Sequence, residues 1–232
     1  MKRISVSWGG GSLINAELIL LEEATKSNHS YYHLISGVDY PIRSQDYIHK
    51  FFLDNYGKEF IKYDENKNRI SEFQNRVRYY YFFQNLIGRN KGKITALLCI
   101  FQKFLLIVQK MMYINRLKHL HFDVYKGANW FSITHDMASY IVQNKKKINK
   151  FCKYSFCADE IFLQTMAMVS PYRDKIVNNY LRYIDWKRGD PYVFTDDDYQ
   201  ELVVADKLFA RKFDDYLSSD IVEKIYNNII KI

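Results

Sequence analysis

The chain has 232 residues, 48% of them hydrophobic, and a net charge of +8 from 34 Lys+Arg against 26 Asp+Glu. That is one domain's length with enough apolar residues for a core, which excludes a wholly disordered chain. Aromatics reach 17%, with 20 Tyr and 16 Phe; such a density fills a thick core and leaves stacking platforms that suit sugars, bases or membrane interfaces.

The opening Met1-Lys2-Arg3 runs into Ser5, Ser7 and Trp8 without an apolar stretch, so it does not read as a signal peptide. Leu13, Ala16, Leu20 and Ala24 recur at helical spacing and predict a helix over 12–26 capped by Ser12. Tyr31 to Ser36 predicts a short strand that ends in a turn at Ser36-Gly37. A helix opens at Ser44 or Gln45 and runs to Asn55, and Phe60 to Tyr63 forms another short strand. Ser71 and Gln74 make a capping-box pattern before a helix to Leu86.

Ile94 to Ile114 is the most apolar stretch. Lys103 and Lys110 interrupt it, leaving apolar runs short of the roughly 20 residues that span a bilayer, so it is expected to pack in the core or at an interface. Lys91, Lys93, Arg116 and Lys118 flank it, which keeps open a peripheral contact with an anionic membrane surface. Asn129 to Thr134 predicts a strand, His135 to Asn144 a helix, and basic Lys145-Lys146-Lys147 follows. Asp159 to Val169 predicts a helix, Val177 to Trp186 an extended segment, and Thr195-Asp196-Asp197-Asp198 the start of a helix to Phe213. Short strands alternating with helices, with no linker, make one α/β domain over residues 1–232.

Five places could carry chemistry. In Ser36-Gly37-Val38-Asp39-Tyr40-Pro41, Asp39 either caps its own turn or faces a ligand beyond a strand end. Asp159 and Glu160 either complement a helix dipole or supply a carboxylate base. Asp196 to Asp198 contains a D-x-D pattern, but its place before Leu202, Val203, Leu208 and Phe209 is explained by capping, and a metal role is rejected. Arg182, Arg211 and Lys212 are either ordinary basic residues, the last two in a final helical turn, or the groups that meet a diphosphate. Trp130, beside Asn129, serves as a sugar platform or as a core residue. The odd set Cys99, Cys152 and Cys157, with no C-x-x-C pair, argues against a disulfide framework and a zinc site, and for a reducing compartment. Basic residues are scattered apart from Lys145 to Lys147, so nucleic acid is not an expected partner.

Six segments in order, WGGGSLINAEL (8–18), YYHLISGVDYPIRS (31–44), KGANWFSITHDMASYI (126–141), ADEIFLQTM (158–166), NNYLRYIDW (178–186) and LFARKFD (208–214), together resemble the core-2/I-branching β-1,6-N-acetylglucosaminyltransferase family, glycosyltransferase family 14, which includes the peptide O-xylosyltransferases. The resemblance implies a GT-A type fold, with a Rossmann-like mixed sheet flanked by helices. It implies inverting transfer of N-acetylglucosamine or xylose from a UDP-sugar to a glycan or protein acceptor, without a metal or other cofactor. By the same resemblance Glu160 is the catalytic base, Arg182, Arg211 and Lys212 bind the donor diphosphate, and Asp39, Asn129, Trp130 and Asp159 line the sugar and acceptor cleft. Family members carry a further stretch before the WGG motif, so the chain is expected to lack the first strands of the nucleotide-binding half. The competing expectation is an inactive remnant that binds a partner or a membrane surface. A cytoplasmic or membrane-peripheral bacterial protein fits the absence of a recognisable leader.

Overall fold

The strands sort into two small mixed sheets, each backed by helices, in a computed structural model that describes residues 3–65 and 70–231 apart from the side chains of residues 70–72. The first sheet has the order β1 (Tyr31–His33), β4 (Phe131–Thr134), β3 (Glu59–Ile61), β5 (Ile176–Val177). β4 runs antiparallel to both neighbours and β3 runs parallel to β5. Every residue of β4 is buried, which is why Phe131 to Thr134 lacks a clean polar-apolar alternation. Phe131 and Ile133 share a core with Met137 and Ile141 of α6 (His135–Gln143) and with Phe162 and Met166 of α8 (Phe162–Met168).

The second sheet has the order β2 (Asp39–Pro41), β7 (Phe209–Arg211), β6 (Arg182–Ile184), with β7 antiparallel to β2 and parallel to β6. It corrects two expectations. The chain resumes as a strand two residues after Gly37, and the helix expected to reach Phe213 stops at Val204. That helix is a 3₁₀ turn (Asp196–Asp198) followed by α9 (Tyr199–Val204). A short apolar run such as Phe209-Ala210-Arg211-Lys212-Phe213 carries helical and strand periodicity equally, and pairing on both sides decides for the strand.

The first helix, α1 (Gly11–Ala24), buries Ile14, Glu17, Leu18 and Leu21 rather than the expected Leu13, Ala16, Leu20 and Ala24. The larger side chains Ile14, Leu18 and Leu21 fill the space against α6 and α7 (Lys145–Cys152), while Leu20 is left exposed. Gly10 precedes the helix, and Ser12, inside it, accepts a hydrogen bond from the Ser7 N–H at 2.9 Å. The basic run Lys145 to Lys147 opens α7. Ser44 does cap α2 (Gln45–Asp54), accepting from the Tyr47 N–H.

After α3 (Ile70–Arg78) the chain turns through Tyr79–Phe83 into the short α4 (Gln84–Ile87), so the single helix expected to Leu86 is two. The Ser71 side chain of the expected capping box lies outside the described residues. α5 (Lys93–Met111) is not a core helix: only Gln102 and Gln109 are buried on it. Gln109 accepts from the Tyr80 N–H at 2.7 Å, Gln102 accepts from the Phe83 N–H at 3.2 Å, and both donate to the Tyr80 carbonyl at 3.1 Å. These amides satisfy the irregular backbone between α3 and α4, and that task turns the apolar side chains outward. All three cysteines are free thiols.

Candidate active site

Glu160 ends a one-turn 3₁₀ segment (Ala158–Glu160) ahead of α8, so it does not sit in the first turn of an α-helix as expected. Its charge is met by side chains. Arg76 of α3 donates to Glu160 Oε2 at 2.8 Å, and Lys126 Nζ lies 3.8 Å from the same oxygen. Lys126 also lies 3.8 Å from Asp64. The backbone fixes this arrangement at Gly127, whose N–H donates to the Glu160 carbonyl at 2.9 Å. A Cβ at Gly127 would lie 1.9 Å from the Lys62 carbonyl oxygen, so only glycine admits this crossing of chains. The Glu160 side chain is 39% exposed, open to an incoming hydroxyl.

Asp159, Glu17, Asn129 and Gln164 form a buried polar group beside it. Asn129 donates to Glu17 Oε1 at 2.7 Å, and Gln164 donates to the Ala128 carbonyl at 2.8 Å. Burial pushes the Glu17 carboxyl from an ordinary 4.5 to about 8, against the lowering effect of Asn129, and the Asp159 charge adds to the rise. Burial first, and the Glu160 charge second, raise the Asp159 carboxyl to about 6. Among the described residues, every buried side-chain oxygen without a hydrogen-bond partner belongs to this group: Glu17 Oε2, Asn129 Oδ1, Asp159 Oδ1 and Gln164 Oε1. A protonated Glu17 supplies one of the donors the group lacks.

Asp39, Arg211 and Trp130 meet at the other side of Asn129. Arg211 Nη1 donates to Asp39 Oδ1 at 3.0 Å and to Ser36 Oγ at 2.6 Å. Asp39 also accepts from the Ser36 N–H at 2.9 Å, so it caps its turn and holds the arginine at once. The guanidinium stands 4.9 Å above the Trp130 ring, which gives one face of the indole to a cation rather than to a sugar. Among the described residues nothing bonds Arg211 Nε or Nη2, which leaves the bidentate edge of the guanidinium available. Lys212 follows on the same segment with no carboxylate partner among the described residues.

Arg182 is placed differently. It is fully buried on β6 and lies 4.9 Å over the Phe209 ring. It donates to the carbonyls of Tyr180 (2.5 Å) and Leu34 (2.7 Å) and, at 3.3 Å each, to the Phe131 carbonyl and Ser132 Oγ. Burial lowers it to about 10. Its guanidinium ties the second sheet, which carries it, to Phe131 and Ser132 of the first. The acids 196–198 also have local tasks: Thr195 and Asp198 form a capping box, Asp198 accepts from Arg188 at 2.7 Å, and Asp196 pairs with Lys224 at 3.1 Å.

The profile of the Core-2/I-Branching enzyme family matches residues 1–206. The chain belongs to this family. Similar curated proteins include Xylosyltransferase 2 of Rattus norvegicus, 22% identical over 248 residues that cover 95% of this chain and 26% of the relative. Xylosyltransferase oxt of Drosophila pseudoobscura pseudoobscura matches with the same identity and coverage. Xylosyltransferase 1 of Rattus norvegicus is 22% identical over 249 residues, covering 96% of this chain and 28% of the relative. The chain thus spans about a quarter of the length of these relatives. Its two mixed sheets flanked by helices are consistent with a glycosyltransferase fold. Within this family member the structure brings Asn129, Asp159 and Glu160 together, brings Asp39, Trp130 and Arg211 together, and buries Arg182 between the sheets. Sequence reasoning missed Arg76, Lys126 and Glu17. Glu17 left a signal, since it falls at helical spacing with Ile14, Leu18 and Leu21; nothing local marks Arg76.

Proposed function

We propose that the chain is a glycosyltransferase domain that moves a sugar from a UDP-sugar to an acceptor hydroxyl with inversion, using Glu160 as the base and no metal. The observation that carries this reading is the Glu160 carboxylate, partly open to solvent, oriented by Arg76 and Lys126 and backed by a buried polar group short of hydrogen-bond donors. In the step itself, the acceptor oxygen forms a bond to the anomeric carbon, and its proton passes to Glu160. The bond from the anomeric carbon to the β-phosphate oxygen breaks, and UDP leaves with the electron pair. A single displacement inverts the centre with one carboxylate. The free edge of Arg211 and the Lys212 ammonium would meet the charge growing on the diphosphate. The names of the similar proteins favour xylose as the donor sugar, with N-acetylglucosamine the alternative.

The test is UDP release by the full chain with UDP-xylose or UDP-N-acetylglucosamine, candidate acceptors and excess chelator. Glu160→Gln should lower turnover by about 10²–10⁴-fold. Turnover that survives this substitution removes Glu160 from the role of base, and turnover abolished by the chelator alone refutes a metal-free reaction.

A further inference from the structure

α5 is amphipathic the wrong way round for a soluble helix. Its buried side is polar, with Gln102 and Gln109 tied to the backbone of Tyr80 and Phe83. Its outer side is apolar: Ile94, Leu97, Ile100, Phe104, Ile107 and Met111 are all exposed, Leu97 at 66% and Ile107 at 57%. At 3.6 residues per turn these six share one arc of the helix, bordered by Lys103 and Lys110. The strip is about 26 Å long. By length and composition this helix could cross a membrane, but its glutamine face is fixed to the protein.

The charge follows the same segment. Residues 73–122 contain nine Lys or Arg and no Asp or Glu, while the rest of the chain holds 25 basic residues against 26 acidic ones. Beyond the C-terminal end of α5 lies a cavity of about 730 Å³ lined by cations and aromatic rings. There Arg116 stands 4.6 Å from the centre of the Tyr80 ring, Lys147 4.8 Å from that of Phe122, and Lys153 5.0 Å from that of Tyr154. Among the described residues none of these three cations is paired with a carboxylate, and no acid lines the cavity.

We propose that the outer face of α5 lies in the interfacial plane of an anionic bilayer, with lipid phosphate meeting the basic cavity at its C-terminal end. An exposed apolar strip flanked by charge of one sign is the composition of an interfacial helix. The charge selects this occupant over a second copy of the chain, because a two-fold contact would set one acid-free, basic segment against another. An anionic surface relieves that repulsion, and each basic residue near it contributes to binding. The helix lies flat because Gln102 and Gln109 hold it along the protein. This proposal is independent of the sugar chemistry.

Sedimentation of the full chain with vesicles tests it. Binding is expected to vesicles of phosphatidylcholine mixed with phosphatidylglycerol, weakening as salt rises. The double variant Leu97→Glu, Phe104→Glu should bind at least about tenfold more weakly with an unchanged circular dichroism spectrum, since both side chains point to solvent. Lys147→Glu with Lys153→Glu should weaken binding to the same vesicles in the same direction. Equal binding to phosphatidylcholine alone, or binding that neither double variant reduces, overturns the proposal. So does a dimer in light scattering that Leu97→Glu, Phe104→Glu splits while no vesicle binding is seen.

Discussion

Glu17→Gln is expected to stabilise the protein at alkaline pH, although it replaces a side chain of the candidate site. Glu17 is buried at 8% exposure, and burial raises its carboxyl from 4.5 to about 8. Between those values the folded chain holds a proton that the unfolded chain has released, so wild-type stability falls as pH rises. Each pKa unit corresponds to about 1.4 kcal/mol, so the rise from 4.5 to about 8 amounts to a cost on the order of 5 kcal/mol once pH exceeds the folded value. Glutamine keeps an oxygen to accept from Asn129 Nδ2 and has no proton to lose. The two proteins should therefore be about equally stable near pH 4, and the variant should gain up to about 1.4 kcal/mol per pH unit above it, levelling off beyond pH 8. Asp159 adds a smaller slope of the same sign, because its carboxyl is also raised, to about 6, and that slope is common to both proteins. Urea unfolding of both proteins across this range reads the difference directly. A stability difference that does not change with pH, or a variant less stable than wild type at pH 8, refutes the assignment of a protonated Glu17.

Arg182→Met tests the placement of that arginine between the sheets. It would strip the Leu34 and Tyr180 carbonyls of their donor, and at roughly 1–3 kcal/mol for each orphaned group the loss of stability should be about 2–6 kcal/mol by urea unfolding. A variant of native stability whose KM for the UDP-sugar alone rises would instead place Arg182 on the diphosphate. Gly127→Ala should fail to fold or lose more than about 3 kcal/mol, since its methyl group would overlap the Lys62 carbonyl oxygen. Ordinary expression with a native melting temperature would show that the crossing at Gly127 is not rigid.

The elements legible in the sequence are those with local causes. Ser44 caps α2, Thr195 and Asp198 form their own box, and the apolar pattern from His135 gives α6. The strands at 31–33, 59–61 and 131–134 were legible from their apolar runs, but two other elements that depend on distant partners were not. Asp39–Pro41 and Phe209–Arg211 are three-residue strands that exist because they pair with each other, and their sequences allow a turn and a helix equally well. The buried glutamines of α5 answer to carbonyl and amide groups more than 18 residues away, so hydropathy alone assigned the helix to the core. The candidate site was legible through its motifs and not through its contacts. Glu160, Asp159 and Asn129 stand out in the ADEIFLQTM and KGANWFSITHDMASYI segments, whereas Arg76 reaches Glu160 across 84 positions of sequence.

Two sets of acids in this chain contrast in how their charge is met. Asp196, Asp198, Asp185 and Glu201 each face a cation or a backbone amide, and the Asp185 and Asp198 carboxyls are held below their ordinary range by such partners. They do what acids near helix starts and turns usually do. Glu17 and Asp159 are instead raised, by burial first, and each keeps an oxygen with no donor. Such an arrangement lowers stability, and beside it stands the partly exposed Glu160 carboxylate, held by two cations that come from separate parts of the chain. Among the described residues the four buried side-chain oxygens without a partner all lie in this one group, so the cost of unmet polar atoms is concentrated beside Glu160. That concentration, more than the presence of an Asp-Glu pair in the sequence, distinguishes Asp159-Glu160 from the acidic run at 196–198.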